Sequence, residues 1–449
     1  MARPMPMSGF PEWLPRERLV EQYVVDTVRE VFELHGFTSI ETRAVEPLDQ
    51  LLRKGETDKE IYLLRRLQAE DDGDSDSRLG LHFDLTVPFA RYVLENAGKL
   101  DFPLRRYQIQ KAWRGERPQE GRYREFLQAD IDVIDRDTLP FHYEVELPLV
   151  MADALARLPI PAVSMHVNNR RIPEGFYRGI GIDDPMAVLR NVDKLGKVGA
   201  AGVHKMLVET VGCTPAQADA CLALAEIRTE DGSFVDQVKA LGASNELLEQ
   251  GLEELARVIE AGREHAPGLL VADLSIARGL DYYTGTVYET TMVGAEKLGS
   301  ICSGGRYDAL ASDGETTYPG VGLSFGVTRL LARLIGQGTA QASRSVPTCV
   351  LVALPDEESR PRCQRIAAAL RSRGIASHVA PEAEKYGKQI RFAQRRGIPF
   401  VWFPQPDGGE QVRDIRSGEQ MDADSDTWEP PAIDRRPQIS DVSTNQEES

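Results

Sequence analysis

Two strand-like runs in the first third of the chain place the strongest constraint on its fold. "LRRYQIQKAWR" occupies positions 104–114, "FLQADIDVI" occupies positions 126–134, and the polar segment "GERPQEGRYR" joins them. Runs with β-branched and aromatic residues on either side of a polar loop predict antiparallel strands. Residues 79–135 are rich in such runs and lack the alternation of strands and helices that builds a parallel sheet. We therefore expect a core built on an antiparallel sheet.

A helical pattern then interrupts the predicted sheet. Residues 184–212, 214–227 and 245–265 all have helical character, with Thr214 and Asn245 as plausible helix starts. We expect a helical insertion domain at 173–268, dividing a sheet-containing core formed by 1–172 and 269–336. The core ends with the strand-like "GVGLSFG" and a helix with a continuous apolar stripe, "VTRLLARLIG".

The C-terminal part alternates strands and helices. After the small polar linker "GQGTAQASRS", the runs "TCVLVALP", "IASHVAP" and "IPFVWF" read as strands separated by two helical segments. This pattern predicts a separate α/β domain at 346–430, and the polar residues 431–449 are expected to be a disordered tail. The predicted fold class is α+β: an antiparallel-sheet core with a helical insertion, plus a C-terminal α/β domain.

Composition indicates a cytoplasmic protein of several domains. The chain has 449 residues, 41% of them hydrophobic, and no apolar run reaches the roughly 18 residues of a membrane span. No secretory hydrophobic region is visible at the N-terminus. The cysteines are scattered without a CxxC pair, which argues against a disulfide framework or structural zinc; they are Cys213, Cys221, Cys302, Cys349 and Cys363.

Charge is distributed unevenly along an acidic chain. The net charge is −17, and "EDDGDSD" at 70–76 holds five acids. Two islands are basic: residues 104–124 hold seven basic side chains against two acids, and residues 356–396 hold ten against five. These islands are consistent with nucleic-acid contacts and equally with ordinary solvated helix faces.

Arginines are dense at predicted strand and loop positions. There is no P-loop motif, and the glycines of "GVGLSFG" lack the βαβ unit of a dinucleotide site. An arginine guanidinium suits phosphate oxygens, so several on one sheet would make a polyphosphate site, whereas single ones are usually surface ion pairs. The candidates are Arg114, Arg117, Arg122, Arg278, Arg306 and Arg329.

Six segments in order resemble the histidyl-tRNA synthetases, a family of class II aminoacyl-tRNA synthetases. Residues 36–51, 105–134 and 320–331 are similar to motifs 1, 2 and 3 of that class. "RGLDYYTGTVYE" at 278–289 and "SGGRYD" at 303–308 are similar to the two segments peculiar to the histidine enzymes, and 384–401 to their anticodon-binding domain. The resemblance implies a class II catalytic core, a homodimer with motif 1 at its interface, and a ligase that uses ATP with Mg²⁺.

The resemblance also implies how the substrates are bound. Arg114 would contact the α-phosphate, Arg122 and Arg329 the β- and γ-phosphates, Glu116 the adenine amino group, and Phe126 the adenine ring. Arg278 resembles the catalytic arginine between the histidine carboxylate and the α-phosphate. Asp132 and Tyr283 would bind the imidazole beside Tyr282, and Asp84, Thr86 and Gln128 would hold the amino and carboxylate groups. Gly304 and Gly305 would let the backbone approach the ligand.

Transfer RNA is the expected macromolecular partner. By resemblance, Arg117 and Gln119 would meet the acceptor end of tRNA(His), and Lys388 and Arg391 the anticodon. His82 is expected to be a packed side chain rather than a catalyst. The stretch "GFPEWLP" at 9–15 departs from the polar opening typical of the family, which puts its contacts in doubt.

Two non-catalytic alternatives exist. Relatives of these synthetases serve as histidine-sensing regulatory subunits, and a tRNA-binding module with an inactive site is also conceivable. The first typically lacks the anticodon domain and the arginine of "RGLDYY", and the second would require lost phosphate-binding arginines. This chain retains all of these features.

Overall fold

The structure is a computed structural model that describes residues 5–52, 60–65, 78–277 and 282–441. The predicted catalytic residue Arg278 and the acidic run at 70–76 lie outside the described residues. Among the described residues, the chain forms two compact units. The first comprises residues 5–11 and 24–332 apart from the gaps, and the second comprises residues 12–23 and 333–441.

Helices and strands are distributed over both units. The helices are α1 Pro15–Leu34, α2 Leu48–Leu51, α3 Thr86–Asn96, α4 His142–Ala156, α5 Arg171–Gly179, α6 Pro185–Val192, α7 Leu195–Met206, α8 Pro215–Ala225, α9 Phe234–Ala240, α10 Glu246–His265, α11 Val327–Gly336, α12 Arg360–Ser372 and α13 Tyr386–Arg396. The strands are β1 Thr38–Ser39, β2 Val45–Pro47, β3 Leu63–Leu64, β4 Leu79–Leu81, β5 Leu104–Trp113, β6 Glu125–Ile134, β7 Val163–Asn169, β8 Arg228–Thr229, β9 Leu270–Asp273, β10 Thr286–Met292, β11 Cys302–Tyr307, β12 Gly320–Phe325, β13 Ala340–Ala342, β14 Val350–Val352, β15 Ser377–Val379, β16 Phe400–Pro404, β17 Glu410–Asp414, β18 Gln420–Asp422 and β19 Ile439–Asp441.

A mixed sheet organises the first unit. Its described strands lie in the order β1-β5-β6-β12-β11-β10-β7-β9-β8. The central strands from β5 to β7 are antiparallel to their neighbours, while β1 runs parallel to β5 and β9 parallel to β7. The antiparallel core expected from the sequence is therefore present. A smaller sheet, β2-β4-β3, lies in the same unit.

The segment between 173 and 268 is helical, as expected, and its helices begin at the predicted caps. Thr214 and Gln217 form a reciprocal capping box at the start of α8, where Pro215 takes the first helical position. The Asn245 side chain accepts the backbone N–H of Leu248 at 3.0 Å and starts α10. The helices extend from α5 to α10, and the extent of this segment as a domain remains a prediction.

Helix α3 was not anticipated within the strand-rich segment 79–135. Its first turn is fixed because Asp84 accepts the backbone N–H of Val87 at 3.2 Å, and Pro88 tolerates an early helical position. Phe89 and Val93, four residues apart, are fully buried on one helix face. Helical spacing in "TVPFARYVLEN" therefore outweighs the β-branched and aromatic composition that suggested a strand.

The second unit contains the predicted alternation of strands and helices. Its strands lie in the order β15-β14-β16-β17-β18, with the first three parallel and the last two antiparallel. A buried apolar cluster fills its core and includes Val350, Leu351, Leu370 and Trp402. Strands β17 and β18 were missed because "EQVRD" and "QMD" carry few apolar residues.

The prediction of a disordered tail from residue 431 is wrong for the described part of that segment. Strand β19 pairs with β13, and a short 3₁₀ turn covers Ala432–Asp434. Both Asp434 carboxylate oxygens accept hydrogen bonds from Arg416 at 2.7 and 2.8 Å, and its carbonyl accepts one from Arg344. These contacts order a polar segment that composition alone predicts to be disordered.

Candidate active site

One face of the large sheet is polar. Because side chains alternate across a strand, residues at every second position share a face. Cross-strand pairing sets Arg106 opposite Asp132, Gln108 opposite Asp130, and Gln110 opposite Gln128. On the next strand, Ser324 pairs with Asp130 and Gly322 with Asp132. The intervening residues of β6, Ala129, Ile131 and Val133, face the other side and are fully buried.

A cavity of about 110 Å³ lies at the end of this polar face. Five residues expected at the ATP site line it together: Arg114, Glu116, Arg122, Phe126 and Arg329. Gln128, expected at the histidine site, lines it as well, together with Tyr123, Ser303 and Ser324. Arginine donors from two distant parts of the chain thus meet in one small space, an arrangement suited to phosphate oxygens.

Protein contacts orient these arginines. Arg114 donates from Nε to the Phe83 carbonyl at 3.0 Å, and its guanidinium lies over the Phe126 ring at 5.1 Å from the centroid. That hydrogen bond uses one of the five N–H donors of the group. Arg329 donates from Nε to the Gly121 carbonyl at 2.9 Å and from a terminal nitrogen to the Ser300 carbonyl. Arg122 lies 3.6 Å from Glu116.

Two other candidate arginines, Arg117 and Arg306, do not line the cavity. Arg306 pairs with Glu144 at 2.8 Å and with Asp308 at 3.0 Å, and its terminal nitrogen also donates to a backbone carbonyl. It therefore braces the sheet, which corrects its earlier inclusion among the phosphate candidates. Arg117 is exposed on the loop between β5 and β6.

The residues expected to bind histidine lie on and beside the polar face. Tyr282 and Tyr283 are half-buried and their ring centroids are 4.1 Å apart. Burial raises the pKa of the Tyr282 phenol, as do the nearby Asp84 and Asp132 carboxylates, while Tyr283 and Arg114 oppose that shift. Tyr282 is therefore close to Asp84 and Asp132, which are expected to bind histidine, and to Arg114, which is a candidate for phosphate binding. Thr86 is the first residue of α3.

Asp132 is already engaged by protein groups. One carboxylate oxygen forms an ion pair with Arg106 at 2.5 Å, and the other accepts a hydrogen bond from the Tyr307 hydroxyl at 2.8 Å. An ionised carboxylate offers about four acceptor positions, and these two contacts occupy two of them. Arg106 and Tyr307 were not anticipated from the sequence as site residues. For Arg106, the alternation of side chains along β5 and β6 was the sequence signal that could have placed it on the same face as Asp132.

The two predicted glycines are required by the sheet itself. A Cβ atom at Gly304 would overlap the Gly322 carbonyl oxygen of the neighbouring strand. A Cβ atom at Gly305 would lie 2.7 Å from the Thr286 carbonyl oxygen and 2.9 Å from the Tyr283 ring. These distances are too short for real Cβ contacts, so strand packing alone accounts for both glycines. Their expected part in ligand approach stays a prediction.

The basic island at 104–124 is not one surface. Arg105 pairs with Glu146 at 2.6 Å, Lys111 with Glu125 at 2.5 Å, and Arg106 is fully buried. The exposed side chains of the island include Lys111 on β5 and the loop residues Arg117 and Gln119. The tRNA contact expected at Arg117 and Gln119 stays a prediction, whereas Arg105, Arg106 and Lys111 are held by acidic side chains. In the second unit, Lys388 and Arg391 are both exposed on α13, and Lys388 pairs with Glu384 at 2.6 Å.

His82 is a packed side chain, as expected. It is fully buried, its Nε2 lies 2.6 Å from the Lys111 carbonyl oxygen, and its ring lies 5.5 Å from Trp113. Burial lowers its pKa, so it is neutral at physiological pH. It has no role in the chemistry considered below.

Other features do not compete for the role of active site. A larger groove of about 910 Å³, lined mainly by α4 and residues 265–269, contains none of the predicted site residues. Within the described ranges, no group of three or more His, Cys, Asp or Glu side chains is arranged to hold a metal ion. None of the described helices has the length and apolar character needed to cross a membrane.

Comparison with known families and proteins gives consistent results. The family model described as histidyl-tRNA synthetase matches residues 9–330, and the anticodon binding domain model matches residues 348–421. A histidine–tRNA ligase from Micrococcus luteus is 60% identical over 453 residues, covering 98% of this chain and 99% of the relative. One from Cutibacterium acnes is 58% identical over 450 residues, with the same coverage.

Solved structures show the same fold. The crystal structure of histidyl-tRNA synthetase from Nostoc sp. PCC 7120 superposes with a TM-score of 0.85 at 34% identity, covering 95% of this chain and 98% of that one. A Bacillus halodurans structure described as an ATP phosphoribosyltransferase regulatory subunit/histidyl-tRNA synthetase has a TM-score of 0.71 at 20% identity, covering 86% of this chain and 96% of that one. The second likeness extends to the fold alone.

Proposed function

The chain belongs to the histidyl-tRNA synthetase family and acts as a histidine–tRNA ligase, and we propose that the polar sheet face carries out its chemistry. The ligase reaction activates L-histidine with ATP to histidyl-adenylate, releases pyrophosphate, and transfers the histidyl group to the 3′ end of tRNA(His). The regulatory alternative has no comparable support. This chain is 20% identical to the solved structure described as a regulatory subunit/synthetase, whereas it is 60% identical to a histidine–tRNA ligase.

One observation carries the assignment of the ATP site. Arg114, Glu116, Arg122 and Phe126 come from the β5–β6 hairpin and Arg329 comes from α11, yet all five line a single cavity. Three arginines against one carboxylate favour a polyanion. In this proposal, ATP binds there with its adenine ring on Phe126 and its amino group at Glu116, and the arginines contact the phosphates.

Activation requires positioning and charge neutralisation more than proton transfer. The histidine carboxylate has a reference pKa of about 3.5, so it is ionised at neutral pH and attacks the α-phosphorus without a general base. A bond forms between a carboxylate oxygen and the phosphorus, and the bond to pyrophosphate breaks. Arg114, held by Phe83 and Phe126, and by resemblance Arg278, stabilise the negative charge that develops at phosphorus.

Mg²⁺ accompanies the nucleotide in this proposal. Magnesium usually binds through substrate phosphates and one or two carboxylates and keeps several waters, so a dedicated protein cage is not needed. The cavity offers Glu116 as a carboxylate beside its arginines. The ion would supply further neutralisation of the phosphate oxygens.

Histidine is proposed to bind on the same face, beside the phosphates. Asp132 and Tyr283 contact the imidazole, Tyr282 lines the pocket, and Asp84, Thr86 and Gln128 hold the amino and carboxylate groups. A site that hydrogen-bonds a polar ring rejects analogues that lack the partner, by a factor that can reach about 10⁴. Gln128 lines the ATP cavity and thus borders both substrates.

The family resemblance supports a proposal for the macromolecular assembly. We propose a cytoplasmic homodimer in which Arg117 and Gln119 meet the acceptor end of tRNA(His), and Lys388 and Arg391 meet its anticodon. All four side chains are exposed, which such contacts require.

The test is ATP–pyrophosphate exchange by the purified protein without tRNA. We expect exchange that depends on histidine and ignores the other amino acids, and a fall of about 10²- to 10³-fold in Arg278→Ala. Arg157→Ala is the matched control, because Arg157 is partly exposed and pairs only with Asp153 on α4 among the described residues. Folded protein that binds histidine but shows no exchange would overturn the assignment.

A further inference from the structure

Arg106 is a fully buried cation at the centre of the polar face. Its guanidinium forms the 2.5 Å ion pair with Asp132, donates to Gln108 Oε1 at 3.3 Å, and lies over the Phe89 ring at 4.3 Å from the centroid. A buried arginine is costly unless its charge is compensated, so its presence here calls for a partner of matching charge. Asp132 supplies that charge.

Asp130 lies two residues away on the same face and is treated differently. Its Oδ1 accepts a hydrogen bond from the Ser324 hydroxyl at 2.6 Å, and that hydroxyl accepts one from the Gln128 amide at 2.5 Å. Both aspartates are 2% exposed. Asp132 is thus paired with a cation and Asp130 with a neutral hydroxyl, although both lie on the same face of β6 and are equally buried.

The two acids cannot both ionise cheaply. Asp130 is faced by Arg106 on β5, by Asp132 on its own strand, by Asp84 before α3, and by the Cys302 thiol on β11. Burial raises the pKa of Asp130 to about 7, with the Asp132 and Asp84 carboxylates adding to the shift and Arg106 and the Ser324 hydroxyl opposing it. Two nearby carboxylates that share one cation divide in this way, one ionised and one protonated.

We propose that Arg106 is a positioning residue for histidine recognition: it holds Asp132 as the ionised acid beneath the amino-acid pocket and leaves Asp130 as the acid that carries the proton. The proposal rests on the proposed contact between Asp132 and the imidazole. An anchored carboxylate presents a fixed acceptor to a ring N–H, and an amino acid without that donor leaves the buried acceptor without its hydrogen bond. Selectivity for histidine thus depends on a residue that does not touch the substrate.

The two aspartates provide a sharp test. In Asp130→Asn assayed at pH 6, below the pKa of about 7 that burial gives Asp130, a neutral amide replaces a protonated acid, so the KM for histidine in the exchange assay stays within about threefold of wild type. In Asp132→Asn, the ionised acid is lost, and the KM for histidine rises at least about 30-fold, in line with the cost of truncating a buried charge pair. The KM for ATP stays unchanged in both variants.

Arg106 is tested by substitutions of graded severity. Arg106→Lys keeps the charge and loses the rigid fork, so the KM for histidine rises about tenfold with the KM for ATP unchanged. Arg106→Met raises it further, so the lysine variant rescues part of the loss. Arg344→Lys is the matched control: Arg344 is also buried, but it lies in the second unit, so its substitution lowers the thermal midpoint without a selective change in the KM for histidine.

The outcomes separate this proposal from the function it rests on. Wild-type protein without histidine-dependent exchange defeats the proposed function before any variant is compared. With wild-type exchange present, a folded Asp130→Asn that loses histidine binding as fully as Asp132→Asn overturns the division of charge. If Arg106→Lys raises the KM for histidine and the KM for ATP together, and lowers the thermal midpoint as Arg344→Lys does, Arg106 is a structural residue and not a positioning residue.

Discussion

Two neighbouring arginines of β5 show that position on a strand determines whether a charged side chain lies near the surface or is buried. Arg105 and Arg106 are adjacent in sequence, but Arg105 pairs at the surface with Glu146 and Arg106 is buried against Asp132. Counting basic residues along the chain groups them together, whereas the alternation of a strand separates them. The resemblance located Asp132, but no charge count could assign it Arg106 as a partner.

Arg114 is the described residue whose removal should affect activation most. Its side chain donates to the Phe83 carbonyl and lies over Phe126, so it is oriented before substrates bind. We expect Arg114→Ala to reduce histidine-dependent exchange about 10²- to 10³-fold, as for the loss of a preorganised donor to a developing charge. The measurement is the exchange rate beside Arg157→Ala, and a loss no greater than in that control would remove Arg114 from the chemistry.

The raised pKa of Asp130 predicts a pH-dependent stability. Its pKa is about 7 in the folded chain, against 3.8 for the unperturbed group. The folded state therefore holds a proton that the unfolded state has released between these values, and stability falls as pH rises through that window. The amide in Asp130→Asn does not titrate, so this variant does not lose stability as pH rises through that window. Its free energy of unfolding relative to wild type is therefore expected to increase by about 2 to 3 kcal/mol between pH 5 and pH 8.

Denaturant unfolding at the two pH values checks this expectation. Ser324→Ala serves as a second variant, because it removes the hydroxyl bonded to Asp130 without removing the acid, and it should retain the pH dependence. An Asp130→Asn variant whose advantage over wild type is the same at pH 5 and pH 8 would show that Asp130 does not hold the proton.

At the scale of elements, local chemistry predicted most of the helices and the parallel strands. Thr214 and Asn245 begin helices because their side chains satisfy backbone N–H groups. The stretch at 36–51, which resembles motif 1, forms the short strands β1 and β2 followed by the single-turn helix α2. Strands β17 and β18 and the ordered segment before residue 441 depend on tertiary partners, which the sequence pattern does not reveal. Helix α3 differs, because its helical spacing and the Asp84 contact with Val87 are local, and its β-branched and aromatic composition concealed them.

The hairpin loop between β5 and β6 carries neighbouring residues with two different proposed roles, ATP binding and contact with tRNA. Gln119 and Arg122 pair across its tip, where Gly121 has a φ of 71°, and Arg117 is exposed beside the cavity residue Glu116. We expect Arg117→Ala to keep tRNA-free exchange and to lose about one phosphate contact, lowering the salt dependence of tRNA charging by a slope of about 1. Equal losses in exchange and charging would place Arg117 at the ATP site instead.

At the scale of the whole molecule, two units with different architectures match two family models. Residues 9–330 match the synthetase model and residues 348–421 match the anticodon binding domain model. The order of motifs in the sequence was sufficient to predict this organisation. The ion pair between Arg306 and Glu144 was not predictable, because its two side chains are 162 residues apart in sequence.

The second unit is expected to contribute to tRNA charging but not to activation. Lys388 and Arg391 lie on the exposed face of α13. We expect the double variant Lys388→Ala/Arg391→Ala to weaken tRNA(His) charging about tenfold at low salt, with a smaller difference from wild type at higher salt and with histidine-dependent exchange unchanged. Arg436→Ala is the control, because Arg436 is exposed in the same unit outside α13. Charging that is insensitive to the double variant would exclude this helix from the interface.

The location of the active site is the central claim, and a crystal structure with ATP and histidine tests it most directly. We predict the adenine ring on Phe126, the phosphates among Arg114, Arg122 and Arg329, and the imidazole at Asp132, with Asp132 still bonded to Arg106. Nucleotide bound instead in the groove along α4, with the polar sheet face unoccupied, would contradict the account.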